Sequence, residues 1–502
     1  MRTRLALLLA ALPVLASAQH PLSAIEWLND PPPVTLPGTV LMEPPVTTVG
    51  RQPEIAVRPL DAPSPAIGLV PSAVTGLPVD LWRGSDPARL AQLIAQVPVR
   101  NSPAMQKLLY SLLLTEATAP AGTGAEEILL LARLDRLLYL GATDPAQNLA
   151  QVAGATRNAD RFRRWFDATL LTGDEDRSCE VLASAPHLSP GYGALIFCQA
   201  RRGDWPAAAL TLEAAHALEL LEPDRLDLMD RFLSPDLFEG APPLPRPDAP
   251  DPLTFRLYET IGERLPTAPM PRAFATADLR DVAGWKAQLE AAERLTRIGA
   301  LTPNHLLGLY TERKASASGG VWDRVDALRR FDKALQSGSP EAVAKTLPAA
   351  WSAMREVQLE VPFAELFSEQ LDQIAFTDPD ATRLTWEIAL LAGARPRASD
   401  GAAASLFLAA LANGNPRDLT APDTTGQAIA EGFAAPPLRP ELQDMINGGR
   451  LGEAILEAMI LFGDGASGNP ADLTAAIALF RAVGLEDTAR QAGLQLMLLD
   501  RG

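Results

Sequence analysis

The chain has 502 residues and a formal net charge of -17, with 61 acidic against 44 basic side chains. Such an excess of carboxylates repels nucleic acid and anionic lipid head groups, so no nucleic-acid partner is expected. Hydrophobic residues make up 47% of the chain but aromatic residues only 6%. Because alanine and leucine dominate the hydrophobic residues, the composition favours close-packed helices over sheets.

The first eighteen residues have the pattern of a cleavable secretory signal peptide. Arg2 and Arg4 carry positive charge, residues 5–15 form an apolar run, and residues 16–18 (Ala-Ser-Ala) suit a signal peptidase. The apolar run is well short of the roughly 20 residues that span a bilayer, which argues against the alternative of an uncleaved anchor. The sequence predicts cleavage after Ala18, a periplasmic or secreted product, and no stable membrane insertion afterwards.

A proline-rich arm is predicted over residues 19–85. Thirteen prolines lie between Pro21 and Pro78, and prolines at this density forbid helix and interrupt sheet ladders. The arm is therefore expected to be extended or disordered. Apolar residues such as Ile67 and Val70 leave three roles open: a flexible linker, a strand-like tether packed on the folded body, or a ligand for a partner.

Two blocks of helical repeats are predicted, over residues 86–233 and 277–502. In the first block, residues 103–115 and 126–140 space their apolar side chains for one broad buried face. A second proline-rich stretch with one short helix, residues 234–276, is predicted to bridge the blocks. The alternative is that this stretch is a long loop on one continuous superhelix.

The two cysteines, Cys179 and Cys198, lie nearly equidistant from a predicted turn at residues 186–191, between two predicted helices. In an antiparallel hairpin they would face each other within disulfide reach. An oxidising compartment favours a disulfide over the alternative of two buried free thiols. Closing a loop of about 20 residues would stabilise the fold by roughly 3 kcal/mol.

A turn pattern recurs along the chain: a glycine leads, five positions later, to a small residue inside the next helix. Glycine permits a sharp exit from one helix, and the small side chain permits close approach of the next. The pattern occurs at Gly203 with Ala208, Gly449 with Ala454, and Gly484 with Ala489.

Around its first copy the chain resembles a tetratricopeptide or Sel1-like repeat, although Gln199 stands where that repeat has an aromatic residue. The positions that carry the resemblance are Ile196, Ala200, Gly203, Asp204, Trp205, Ala208, Leu212 and Ala215. The resemblance implies an all-α fold, a right-handed superhelical stack of helical hairpins (an α-solenoid). Such repeats are similar to protein-binding scaffolds and to the superhelical, non-catalytic part of soluble lytic transglycosylases.

A candidate binding loop lies within residues 308–324. A Gly/Ser-rich stretch there is flanked by aromatic and charged side chains, namely Tyr310, Arg313, Lys314, Trp322 and Asp323. Aromatic platforms and exposed charges on a loop suit glycan or peptide recognition. The alternative is an inter-repeat loop whose Trp322 caps the core.

No recognised catalytic or metal-binding set accompanies these features. The four histidines are far apart, and the motifs of zinc proteases, serine hydrolases and phosphate-binding loops are absent. Two pairs of carboxylates share helix faces, Glu290 with Glu293 and Glu453 with Glu457, an arrangement more typical of a solvated face than of glycosidase chemistry. No metal, no cofactor and no enzymatic activity are therefore expected.

The predicted function is that of a non-enzymatic periplasmic helical-repeat scaffold that binds a protein or a cell-envelope component. The alternative is a peptidoglycan-binding or glycan-binding, cell-wall-active protein that uses the 308–324 loop.

Overall fold

The computed structural model describes residues 66–395 and 406–499. Within these ranges the fold is all-helical, with 24 α-helices and no β-strand. The predicted signal peptide and residues 19–65 of the predicted arm lie outside the described residues. The helices of the first half are α1 (Ser72–Thr75), α2 (Pro87–Gln96), α3 (Pro103–Leu114), α4 (Ala125–Leu140), α5 (Thr143–Val152), α6 (Ala159–Thr172), α7 (Glu175–Ser184), α8 (Tyr192–Arg201), α9 (Trp205–Ala217), α10 (Pro223–Leu233), α11 (Pro252–Thr260) and α12 (Ala275–Asp278).

Twelve further helices follow, with residues 396–405 lying between the sixth and the seventh of them. They are α13 (Trp285–Thr296), α14 (Pro303–Glu312), α15 (Val321–Ser337), α16 (Pro340–Glu356), α17 (Glu360–Asp372), α18 (Pro379–Leu391), α19 (Leu406–Ala412), α20 (Thr424–Phe433), α21 (Pro440–Asn447), α22 (Leu451–Ala466), α23 (Pro470–Ala482) and α24 (Glu486–Leu498).

Many helices start with a capping side chain followed by proline. At α2, Asp86 Oδ1 accepts the backbone N–H of Arg89 at 2.8 Å, and Pro87 occupies the first helical position. The cap satisfies one of the free N–H groups of the first turn, and proline has no N–H to leave unpaired there. The same pairing of cap and proline begins α3, α9, α11, α14, α16 and α18.

The recurrent glycine turns have the geometry that the sequence predicted. The three glycines have φ between 71° and 85°, the left-handed region in which other residues are strained. The three alanines that follow them are each 0% exposed, so the next helix does approach its neighbour closely at that point. The glycines are Gly203, Gly449 and Gly484, and the alanines are Ala208, Ala454 and Ala489.

The helices bury two main hydrophobic cores. One core is built jointly by the helices from α2 to α11 and by those from α19 to α24, and the other mainly by α13 to α18. Helix α2 packs against α22, and α3 packs against α24. The predicted C-terminal block therefore contributes to both cores, and helices near the two ends of the folded body are in contact.

One close approach joins the segment before α2 to α22. Trp82 is fully buried against α22 at Gly452, whose backbone N–H donates to the carbonyl of Leu81 at 2.9 Å. A Cβ atom at position 452 would lie 2.4 Å from the Trp82 ring, a distance that no side chain can occupy. Glycine at 452 is thus what lets the indole lie flat on the helix.

Residues 66–85, the described part of the predicted arm, pack on the body. The N–H of Ile67 donates to the carbonyl of Ala117 at 3.0 Å, and that of Leu69 to Leu114 at 2.8 Å. Arg133, which is 2% exposed, binds this segment by donating to the carbonyl of Ile67 at 2.9 Å. This part of the arm is thus packed on the folded body, and its role as a tether stays a prediction.

Within the proline-rich bridge, the stretch 241–247 is held by side chains on and after α11 and by Arg231 on α10. Its backbone donates from Leu244 N to Glu263 Oε2 at 2.8 Å, and the carbonyl of Pro245 accepts the hydroxyl of Tyr258 at 2.5 Å. Arg231 on α10 pairs with the same Glu263 at 3.2 Å. These side-chain contacts supply partners to the backbone of residues 242–245, which lies outside the helices of the bridge.

Candidate functional site

Tyr310 in the predicted binding loop is fully buried, so its expected role as an exposed aromatic platform is wrong. It lies on α14 with 0% exposure, and its hydroxyl donates to Glu293 Oε1 at 2.6 Å. Burial and the negative charge of Glu293 together hold the pKa of Tyr310 well above its usual range. The partner lies seventeen residues upstream on α13, which is why inspection of the loop alone misplaces this side chain.

Glu293 is the centre of a buried network that also holds the start of α15. It is 4% exposed and accepts from Arg324 Nε at 2.8 Å and from Arg324 Nη2 at 2.7 Å. Burial opposes the charge on Arg324, but the hydrogen bonds and charge of Glu293 outweigh it and raise the Arg324 pKa. This bidentate pair with an added phenol ties α13, α14 and α15 together.

Trp322 packs inward, as the alternative of a core-capping residue expects. Its ring centroid lies 5.1 Å from that of Trp285, and Trp285 Nε1 donates to the carbonyl of Leu309 at 3.0 Å. Asp323 closes the loop by accepting the N–H of Gly319 at 2.9 Å. The two tryptophans and the aspartate therefore organise the loop itself.

Arg313, Lys314 and Asp323 are the side chains of the predicted set that stay exposed as charges. Arg313 pairs with its neighbour Glu312 at 2.9 Å. Because Tyr310 is buried, the structure does not bring the five predicted residues together on one accessible surface.

Cys179 on α7 and Cys198 on α8 are joined in the structure, with their Cα atoms 4.8 Å apart. Both are buried, and the helices form the antiparallel pair predicted around the turn. The bridge lies inside the core and leaves no free cysteine among the described residues.

Neither carboxylate pair singled out in the sequence spans a cleft. Glu290 pairs with Lys286 on the surface, whereas Glu293 belongs to the buried network. Glu457 pairs with Arg89, and Glu453 is buried beside Arg450. Among the described residues, no three His, Cys, Asp or Glu side chains are arranged to hold a metal ion.

A cleft between α17 and α18 was not predicted from the sequence. It encloses about 660 Å³ and lies where the two cores meet, since Trp386 packs on the first core and Ile374 and Phe376 on the second. We call it the α17–α18 cleft. It is lined by Ser368, Glu369, Leu371, Asp372, Ile374, Ala375, Phe376, Thr382, Thr385, Trp386, Ala389, Ala394 and Arg395.

The α17–α18 cleft combines an apolar floor with a charged rim. Trp386 and Phe376 are half-buried, while Glu369 and Asp372, one turn apart on α17, are exposed. The Thr385 hydroxyl is buried without a hydrogen-bond partner, and Arg395 turns away to pair with Asp487 on α24 at 2.9 Å. An apolar concavity with a few convergent polar groups is the usual form of a binding site.

One sequence signal could have drawn attention to this cleft. Thr382, Thr385, Trp386 and Ala389 recur at the spacing of one helix face, and that face mixes hydroxyl groups with an indole instead of carrying the leucine and alanine typical of this chain. The opposing wall comes from α17 and from residues 394–395, whose placement depends on tertiary packing.

No protein-family model, no curated protein and no solved structure matches this chain. No helix of the described ranges is both long and apolar enough to cross a membrane.

Proposed function

We propose that this chain is a non-enzymatic helical-repeat scaffold, exported to the periplasm, that binds a protein segment in the α17–α18 cleft. The observation that carries the proposal is the composition of that cleft: an aromatic and aliphatic floor bordered by Glu369 and Asp372. Export is supported by the signal-like first eighteen residues and by the joined pair Cys179 and Cys198.

The chemistry of the cleft favours a segment with an apolar anchor next to a cationic residue. Trp386 and Phe376 offer rings against which an aliphatic or aromatic side chain can bury its surface. Glu369 and Asp372 lie where a lysine or arginine of the bound segment would pair with them. The net charge of -17 would also speed the approach of a basic partner.

A selection from a random peptide library tests this proposal. Twelve-residue displayed peptides selected on the full mature chain should be enriched in an aromatic or aliphatic residue adjacent to lysine or arginine. Synthetic copies labelled with fluorescein should bind at least tenfold more weakly to a variant with E369K and D372K. A matched control, E213K with D227K on α9 and α10, exchanges two exposed carboxylates outside the cleft and should bind like the unmodified chain.

Equal binding of the selected peptides to both double variants would reject the cleft as the site. Sedimentation with purified peptidoglycan tests the alternative function. Retention that is abolished by R313Q with K314Q, together with no peptide selected at the cleft, would favour a glycan-binding role for the 308–324 loop.

A further inference from the structure

A seven-residue stretch of the bridge between α10 and α11, residues 241–247, has an unusually restricted backbone. Its sequence is Ala-Pro-Pro-Leu-Pro-Arg-Pro. Every residue in it either is a proline, whose ring fixes φ at about -65°, or directly precedes a proline, which restricts that residue to extended conformations. The sequence therefore favours a polyproline-II helix, which has three residues per turn. We call residues 241–247 the proline ribbon.

The exposure of the proline ribbon repeats with that same period of three. Every third residue is half-buried, and the two residues between are exposed. One edge of the ribbon therefore lies on the folded body, while the other two edges face solvent. The half-buried residues are Ala241, Leu244 and Pro247, and the exposed residues are Pro242, Pro243, Pro245 and Arg246.

Side chains of the body hold the proline ribbon in place through its backbone. In addition to the bonds from Glu263 and Tyr258, Arg231 Nη1 donates to the carbonyl of Pro242 at 2.8 Å. All three contacts are made to backbone atoms, so they leave the exposed proline rings uncovered. Because the ribbon is already ordered, a partner that binds it does not have to offset the entropy cost of ordering it.

The proline ribbon also borders a cavity of about 310 Å³. Arg246 and Pro247 lie on one wall of this cavity, and the opposite wall comes from residues 265–271. That opposite wall consists of Leu265, Met270 and three prolines. An apolar recess, at the lower end of the volume range of ligand pockets, is therefore available directly beside the exposed edges of the ribbon.

A second Ala-Pro-Pro-Leu stretch, residues 435–438, has a different environment. The arginine that follows it, Arg439, is half-buried, donates to the carbonyl of Ala471 at 2.9 Å and pairs with Asp472 at 2.5 Å. The arginine of that stretch is thus used inside the fold. Arg246 in the proline ribbon is instead exposed, and it forms no ion pair with any residue that the structure describes.

We propose that the proline ribbon is a docking surface for a second protein that presents a groove of tryptophan and tyrosine side chains with a carboxylate beside it. Grooves lined by aromatic rings are the usual receptors of preformed polyproline-II segments. Prolines offer carbonyl groups but no N–H, so the partner has to supply the hydrogen-bond donors, as an indole N–H or a phenol O–H can. The carboxylate would pair with Arg246.

This inference is independent of the α17–α18 cleft, because here the chain itself supplies the segment that is bound. A second copy of the chain is the other candidate occupant, since its α17–α18 cleft combines Trp386 with Glu369 and Asp372. Two chains that each carry a net charge of -17 repel one another, however. The occupant to which we commit is therefore a different protein.

Fluorescence anisotropy with two purified probes, a WW domain and an SH3 domain, tests the proposal on the full mature chain. Both kinds of domain have aromatic grooves that bind proline-rich segments. We expect at least one probe to bind saturably. Its binding should be at least tenfold weaker to the variant with Pro242→Ala and Pro245→Ala, which lacks two rings of an exposed edge, and about threefold weaker to R246Q.

Two matched controls accompany these variants. The first, with Pro436→Ala and Pro437→Ala, changes the same two neighbours in the second Ala-Pro-Pro-Leu stretch, and the second, R202Q, changes another exposed arginine. Both should bind the probe as the unmodified chain does.

A further comparison separates a ribbon that the fold presents from an ordinary proline-rich sequence. A synthetic peptide of residues 239–249 with blocked ends should bind the same probe at least threefold more weakly than the chain, because the peptide has to be ordered on binding. Y258F removes a hydrogen bond to the ribbon without removing an exposed ring, so it should weaken binding about twofold.

Absence of saturable binding of both probes, an unchanged Kd in the variant with Pro242→Ala and Pro245→Ala, or equal or tighter binding by the peptide would overturn the proposal. That variant must keep the circular-dichroism spectrum and melting temperature of the unmodified chain, and if it does not, R246Q and Y258F carry the test. Sedimentation velocity of the chain alone is the last arm. Self-association that requires Arg246, without binding of either probe, would overturn the assignment to a different protein in favour of a second copy.

Discussion

Two arginines that are withdrawn from solvent compensate their charge by different means: Arg133 is fully buried in the core shared by the two ends of the fold, and Arg324 is half-buried at the core of α13–α18. Arg133 donates to three backbone carbonyls, those of Leu113, Ile67 and Thr115, at 2.7, 2.9 and 3.1 Å. Arg324 instead forms a bidentate pair with Glu293. Burial lowers the pKa of Arg133 to about 10, whereas Glu293 raises that of Arg324.

The difference shows what each arginine is for. The carbonyls around Arg133 belong to the end of α3 and to residue 67, backbone that has no helical partner there, so the guanidinium group completes the hydrogen bonding of irregular chain. The Glu293 and Arg324 pair instead joins the side chains of two helices, α13 and α15. The hydrogen bonds of Arg133 fix the path of irregular backbone, whereas the pair of Glu293 and Arg324 fixes α15 to α13.

R133M is expected to have the largest effect. Removing the guanidinium group takes a donor from the carbonyls of Leu113 and Thr115 and leaves that of Ile67 with a long bond of 3.4 Å from Ala117 N. At roughly 1–3 kcal/mol for each carbonyl, unfolding should become easier by roughly 5 kcal/mol. Urea denaturation measures the loss, and hydrogen exchange should accelerate first at the amides of residues 67–70. R157M, at an exposed arginine, should change neither; equal effects of the two substitutions would contradict the role of Arg133.

E293Q should rank second, at about 4 kcal/mol, because it leaves the largely desolvated charge of Arg324, whose side chain is 13% exposed, unpaired. The double variant E293Q with R324M should recover much of the loss, since no buried charge remains. The matched control is E290Q, three residues earlier on the surface of the same helix. A double-mutant cycle with no coupling between positions 293 and 324 would show that the pair does not act as a unit.

Reduction of the disulfide should cost less, roughly 3 kcal/mol, because the closed loop is short. The bond lies in the first core and has no counterpart in the second. Amide hydrogen exchange should therefore become faster in α7 and α8 on reduction, while the amides of α14 and α15 stay protected. Thiol labelling of denatured, unreduced protein should find no reactive thiol, and two labelled cysteines would contradict the bond.

The smallest expected effect on stability comes from Asp167, a carboxyl group that has neither the carbonyl partners of Arg133 nor the ion pair of Arg324. Burial, and then the negative charge of Asp251, raise its pKa to about 7, against the opposing charges of Arg163 and Arg164. Since the pKa in the unfolded chain is about 3.9, the folded state holds the proton over the interval between these values. The free energy of unfolding should therefore fall as the pH rises from about 4 to about 7.

D167N should flatten that pH dependence and stabilise the fold at pH 8 by about 1 kcal/mol, a figure reduced because the side chain is partly exposed. Thermal melts across the pH range measure both. D160N on the same helix is the control, because Asp160 is exposed and near Arg164. An unchanged pH profile in D167N would mean that the carboxyl titrates normally.

What could be predicted from the sequence was local. Asp86 with Pro87 and Ser102 with Pro103 start helices because capping and the fixed proline φ are properties of adjacent residues. The same holds for the helical hairpin that carries the cysteines, since the chain between them is short and its turn residues are evident. The turn glycines follow for the same reason.

What could not be predicted depends on partners far along the chain. Tyr310 is an aromatic residue beside a Gly/Ser loop in the sequence, and only the position of Glu293 on another helix makes it a buried one. The α17–α18 cleft likewise needs side chains from two helices and from residues 394–395. No spacing in the sequence encodes their distances.

The contact between α3 and α24, and that between α2 and α22, bears on when the protein can fold. If the chain is exported N-terminus first, as proposed, the first helices reach the far side of the membrane long before the helices that complete their core. Folding that awaits such distant partners is slow. The late synthesis of α22–α24 would thus keep the precursor open enough to be threaded through a translocation channel, and the finished fold would form only after release.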